Sequence, residues 1–146
     1  MKVLIGALVL LCGMAASHVE AACTVSTGGI GFGSYDVFSG SPVDSTGIIS
    51  FSCDKKSDIT ITLNTGGSGT FSPRRMSGPD SLDYNLYLDA ARSTIWGDGT
   101  SGTGTYSQTN VPKNTTLTVT VYGRVPNGQD VSAGSYGDSV TVTILF

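Results

Sequence analysis

The stretch that most constrains how this chain can fold is its last one, residues 134–146, reading GSYGDSVTVTILF. Val140, Val142, Ile144 and Phe146 fall on every second residue, with Ser139, Thr141 and Thr143 between them. That is the alternation of a half-buried β-strand. The apolar stripe runs to the carboxyl terminus, so one edge of the strand must be covered either by an earlier strand or by another protein. Both readings stay open on this stretch alone.

No window after Ala22 keeps a helical period. Short alternating runs separated by Gly, Ser, Asp, Asn and Pro recur instead, which predicts an all-β sandwich or barrel. Cys23–Thr27 reads as a first strand, broken by Gly28-Gly29 and resumed over residues 30–33, as in a strand that bulges or switches sheets. Residues 48–53 put Ile49, Phe51 and Cys53 on one face, so a disulfide with Cys23 would tie the first strand to the second from inside. Residues 58–64 alternate Ile59, Ile61 and Leu63 and end in the Gly66-Gly67-Ser68-Gly69 turn. Residues 71–76 read as an edge strand, which tolerates Pro73 because no ladder donor is needed there. Residues 82–88 read as a core strand with Tyr84 inward and Tyr87 outward, 90–92 as one helical turn, and 94–96 as a short strand. Residues 97–104 form a glycine-rich loop, and 115–121 and 139–146 are the clearest strands, with a loop at 126–129 between them. Seven or eight strands at this spacing, with one disulfide joining the sheets, suit a sandwich.

Residues 1–21 have the form of a secretory signal peptide: Lys2, an apolar run over 3–16, and small residues at Val19 and Ala21 before cleavage. The run is too short to span a membrane. Cys12 follows Leu10-Leu11, which does not suit lipid attachment. The expected product is residues 22–146, one exported domain with a real core. Its net charge stays at the −3 of the full chain, because Lys2 and Glu20 leave together. So few basic residues argue against nucleic acid. Of the three cysteines, Cys23 and Cys53 remain, and an exported chain is expected to join them.

The single histidine, His18, and the single glutamate, Glu20, leave with the leader. Histidine-based triads and histidine metal sites cannot be built from what remains, so an enzyme is poorly motivated and no cofactor is expected. Residues 97–102 carry the letters of a dinucleotide fingerprint without the helix that fingerprint needs. Asp80, Asp83, Asp89 and Asp98 lack calcium-loop spacing and suit turns. Arg74-Arg75 reads as a solvated strand edge rather than an anion site, and Asn114-Thr115-Thr116 as a turn rather than a glycan site. Trp96, Tyr84, Tyr87 and Tyr106 could line a sugar-binding face, but alternation splits them between faces, so packing is favoured.

Several motifs in order resemble the spore coat protein U domain family: Cys23-Thr24-Val25, Phe32-Gly33-x-Tyr35-Asp36, Cys53, Arg75-Met76, Leu82-x-Tyr84-Asn85-Leu86-Tyr87-x-Asp89, Trp96-Gly97-Asp98-Gly99-Thr100, Tyr122-Gly123-Arg124-Val125-Pro126 and Gly134-Ser135-Tyr136-x-Asp138-x-Val140-x-Val142-x-Ile144. That family includes pilins of the archaic chaperone-usher pathway. The resemblance implies an incomplete immunoglobulin-like β-sandwich lacking its final strand, completed first by a periplasmic chaperone and then by a neighbouring fibre subunit, with an outer-membrane usher as the assembly platform. The acceptor groove is expected between the last and first strands, with Val140, Val142, Ile144, Phe146, Val25 and Ile30 lining it. Only Ala22 precedes Cys23 after cleavage, which predicts a subunit that accepts a strand without donating one, at a fibre tip or end. A self-complete secreted domain that binds carbohydrate or a surface is the alternative.

Overall fold

The computed structural model describes residues 21–146. The leader assigned to residues 1–21 lies outside them apart from Ala21. Eight strands form, most of them where polar and apolar residues alternate, with β4 and β6 the exceptions: β1 Cys23–Thr27, β2 Val43–Cys53, β3 Ser57–Leu63, β4 Arg74–Ser77, β5 Ser81–Tyr87, β6 Tyr106–Val111, β7 Leu117–Val125 and β8 Val142–Leu145. A 3₁₀ turn at Gly66–Ser68 is the only helical element among the described residues. The strands make a five-stranded sheet in the order β1-β2-β7-β5-β4 and a three-stranded sheet in the order β6-β3-β8. This is the all-β, immunoglobulin-like sandwich expected from the sequence.

The alternation decides which side chains go inside. In β2 and β7, Ile49, Phe51, Val121 and Val125 are buried, while Asp44, Ile48 and Thr118 point out. β3 contributes Ile59, Ile61 and Leu63 from the opposite sheet. Trp96 is 0% exposed and its indole Nε1–H donates to the Ile61 carbonyl at 3.0 Å. A buried indole needs such an acceptor, because a lost hydrogen bond there costs the full desolvation of the group.

Several sequence expectations are corrected. The disulfide joins Cys23 to Cys53, which face each other in the β1–β2 register. It ties the first strand to the second, as expected, but within one sheet rather than between the two. The resumed strand over residues 30–33 is absent. After Gly29, at φ 77°, the chain leaves the sheet edge and crosses its inner face. A Cβ at Gly47 would lie 2.6 Å from Ile30 Cγ1, and one at Gly123 would lie 2.6 Å from Phe32 Cζ. Glycine at these two strand positions makes room for the crossing segment. Residues 90–92 form a turn capped by Asp89, which accepts from the Ser93 and Thr94 amides, rather than a helical turn. Ile95 and Trp96 make isolated bridges instead of a strand. The polar strand β6 lies beyond the glycine-rich loop, in text not read as a strand.

Candidate strand-acceptor site

β8 is held on one side only. Its partner is β3, in the register Thr60↔Leu145, Ile61↔Ile144, Thr62↔Thr143 and Leu63↔Val142, and among the described residues no strand pairs with its other edge. The same register continues to Asn64 and Thr141, where the Asn64 amide donates to the Thr141 carbonyl at 3.1 Å. In an antiparallel ladder, directly opposed residues alternate between hydrogen-bonded and non-hydrogen-bonded pairs. Thr141, Thr143 and Leu145 therefore turn their main-chain groups toward β3, and Val142 and Ile144 turn theirs outward. The Leu63 amide agrees with this phase: it points away from β8 and donates to the Gly97 carbonyl.

Beside this edge the interior is open. A groove of about 1120 Å³ runs between the crossing segment after β1 and the chain leading into β8, lined by Ile30, Phe32, Val140 and Val142. Its floor reaches the core residues Ile49, Leu63, Leu86 and Val121. The volume exceeds that of a usual small-molecule pocket, about 300–1,000 Å³. Free main-chain groups along one rim and an apolar floor are the two features that an added β-strand uses, one for affinity and the other for selecting its inward side chains.

Of the six groove residues nominated from sequence, Ile30, Val140 and Val142 line the groove. Val25 and Ile144 are half-buried against the same core but outside that lining. Phe146 is 58% exposed and sits beyond the end of β8, beside Leu145 in a separate shallow recess with Asp58, Thr60 and Gln108. The expectation for Phe146 is corrected, because the regular alternation stops with the strand at Leu145.

The polar framework behind the groove was missed from sequence. Arg74, expected to be solvated, is 0% exposed. Its guanidinium donates to the Asn64 carbonyl (3.0 and 2.7 Å), the Trp96 carbonyl (2.7 Å) and Asn85 Oδ1 (2.9 Å), and lies over the Phe71 ring. Burial lowers its pKa, while Tyr84 and Asp138 act the other way. The charge is tolerable inside because neutral acceptors replace water. Arg75 does follow expectation, pairing with Asp83 at 3.0 Å on the surface. Tyr84 donates to Asp138 Oδ2 at 2.6 Å. Burial first, then the Asp138 carboxylate, pushes the Tyr84 phenol above its ordinary pKa.

Other readings fare differently. With Trp96 buried, no indole face is open to a sugar. Asp98 accepts from the Thr100 amide two residues on, as turn-forming aspartates do, whereas Asp80 accepts from the distant Ser132 amide and ties two loops together. Among the described residues no group of three or more His, Cys, Asp or Glu is placed to hold a metal ion. No helix among them is long and apolar enough to cross a membrane.

Comparison with known proteins fits this geometry. One chain of the crystal structure of the CsuC–CsuE chaperone–tip adhesion subunit pre-assembly complex, from the archaic chaperone-usher Csu pili of Acinetobacter baumannii, superposes with a TM-score of 0.63 at 21% identity. The match covers 88% of this chain and 40% of that one, so the present chain spans less than half of its length. At that identity the likeness is one of fold. Protein U of Myxococcus xanthus is 40% identical over 149 aligned positions, covering 89% of this chain and 80% of Protein U. The Spore Coat Protein U domain profile matches residues 11–143. The chain belongs to the spore coat protein U domain family.

Proposed function

We propose that this protein is an exported structural subunit of a cell-surface fibre or coat, and that it assembles by accepting a β-strand from another polypeptide. The observation that carries this reading is the outer edge of β8, where the Val142 and Ile144 main-chain groups face away from β3 and an apolar groove open to the core begins at Val142. A periplasmic chaperone would fill the groove first and a neighbouring subunit would replace it at an outer-membrane usher. Family membership and the fold shared with a chain of a chaperone-bound pilus complex support the reading. Val140 and Val142 would receive the inward side chains of the added strand beside Ile30. Ile144, with Val25 across the seam, would extend the contact toward the disulfide.

One observation favours partial self-completion: the chain's own Ile30 and Phe32 already cover the inner face over Gly47 and Gly123. They leave the β8 edge itself without a strand, which keeps the acceptor reading ahead.

Production in a bacterial periplasm, with and without a co-expressed archaic chaperone, separates the two. The acceptor reading expects degradation or aggregation alone and a soluble equimolar complex with the chaperone. A heat-stable monomer recovered in full yield without any partner would overturn it.

A further inference from the structure

The segment that delivers the chain into β8 is held by one main-chain bridge and then by side chains. Gly137 exchanges main-chain hydrogen bonds with Ser77 at the end of β4, at 2.8 and 3.0 Å. Asp138 then receives the Tyr84 hydroxyl from β5 on Oδ2 at 2.6 Å and the Gly67 amide from the 3₁₀ turn on Oδ1 at 2.8 Å. Three residues on, the Thr141 amide donates to Asn64 Oδ1 at 2.9 Å, and the Asn64 carbonyl is gripped by buried Arg74. Residues 137–141 are thus tied to both sheets and to the turn between β3 and β4. Space has been left for this: a Cβ at Gly66 would collide with the Asp138 carboxylate.

These ties lie on the rim of the groove, since Asp138, Tyr84 and Val140 all line it. An edge strand with a neighbour on one side loses half of the ladder that normally fixes a strand, and ordering it on binding costs free energy that a preordered edge has already spent. Resting on the acceptor reading above, we infer that Asp138, clamped by Tyr84 and Gly67, is a positioning residue that holds the acceptor edge preformed for an incoming extended polypeptide. The partner's chemistry follows: a strand with apolar side chains at alternate positions, because the floor is apolar and the rim offers main-chain groups.

The test uses the folded protein and a synthetic peptide of alternating valine and threonine flanked by lysines. Tyr84→Phe removes one oxygen, and Asp138→Ala removes the whole clamp. Both are expected to slow peptide association by about tenfold, the scale of one charge-assisted hydrogen bond, while dissociation changes little, because the final ladder is the same. The double variant is expected to slow it no more than Asp138→Ala alone, and Asp138→Asn, which keeps the oxygen facing Gly67, to recover part of the rate. A purely structural role would lower thermal stability without this split between association and dissociation.

Amide exchange in the free protein is the second arm. Protection at Gly137 and Thr141, neither of which bonds to Asp138, is expected to fall in both single variants. If Asp138→Ala fails to fold, Tyr84→Phe carries the test. Unchanged association together with unchanged protection at Thr141 overturns the clamp. If the wild type captures no peptide, the acceptor reading has failed with this probe, and the exchange arm still decides the clamp: lost protection supports it and unchanged protection overturns it.

Discussion

β3 and β8 lie side by side with nearly the same text, SDITITL and VTIL, and meet different fates. In β3 the inward residues Ile59, Ile61 and Leu63 are at most 3% exposed. In β8 the inward Val142 and Ile144 are only half-buried. The difference comes from the neighbours. β3 has β6 on one side and β8 on the other, with the Trp96 indole bonded to its Ile61 carbonyl. β8 has β3 on one side and no paired strand on the other among the described residues, with an open groove beginning at Val142. Alternation decides which way a side chain points, and the number of flanking strands decides how much water it loses.

Three substitutions sharpen that contrast. The largest loss is expected at the closed end, where Trp96→Ala empties a fully buried site and removes the indole's hydrogen bond to the Ile61 carbonyl. About 3–5 kcal/mol is expected by denaturant unfolding. Next comes the paired comparison itself. Ile61→Ala should cost about 2–5 kcal/mol, and Ile144→Ala, half-buried, roughly half as much in the isolated protein. Adding a strand-forming partner should close the gap, because Ile144 then becomes core. Equal costs in the isolated protein would mean that the β8 side is already sealed.

The smallest effect belongs to the surface. Asp44 accepts two bonds from Arg124 at 2.7 and 2.8 Å, with Arg92 at 3.3 Å. The Arg124 hydrogen bond, aided by the charges of Arg92 and Arg124 against some desolvation, holds its carboxyl below the ordinary range. A depressed carboxylate stabilises the fold above its unfolded pKa, about 3.9, and loses that contribution as pH falls through the folded value. Asp44→Asn should therefore cost less than ~1 kcal/mol at neutral pH, given solvent screening. It should cost nothing once acid has protonated Asp44, as a pH series of unfolding curves would show.

What could be read in advance follows the same physics. β3, β5 and the final strand were legible because alternation is a local signal, and the cysteine pairing because only two cysteines follow the leader. β6 was not, since Tyr106-Ser-Gln-Thr-Asn-Val111 is an edge strand that presents polar text on both faces. The strands read over 48–53 and 115–121 stop short of Gly47 and Gly123, whose purpose appears only when Ile30 and Phe32 are placed over them. Nothing local marks Arg74 as buried: its acceptors come from Asn64, Asn85 and Trp96, which only the fold assembles. The unpaired edge of the last strand was legible from its alternation, and the ties on the segment before it were not. Asp138 reads as one more turn aspartate until Tyr84 and Gly67 are brought to it.

The most direct measurement is amide hydrogen exchange at Val142 and Ile144, in the isolated protein and after strand addition. Their N–H groups face away from β3, so rapid exchange is expected in the isolated protein, with strong protection once a strand is bound. Thr143 should be protected in both states. Strong protection at Val142 and Ile144 in a monomer with no partner would show the edge already closed by the chain itself, and acceptance of a foreign strand would be contradicted.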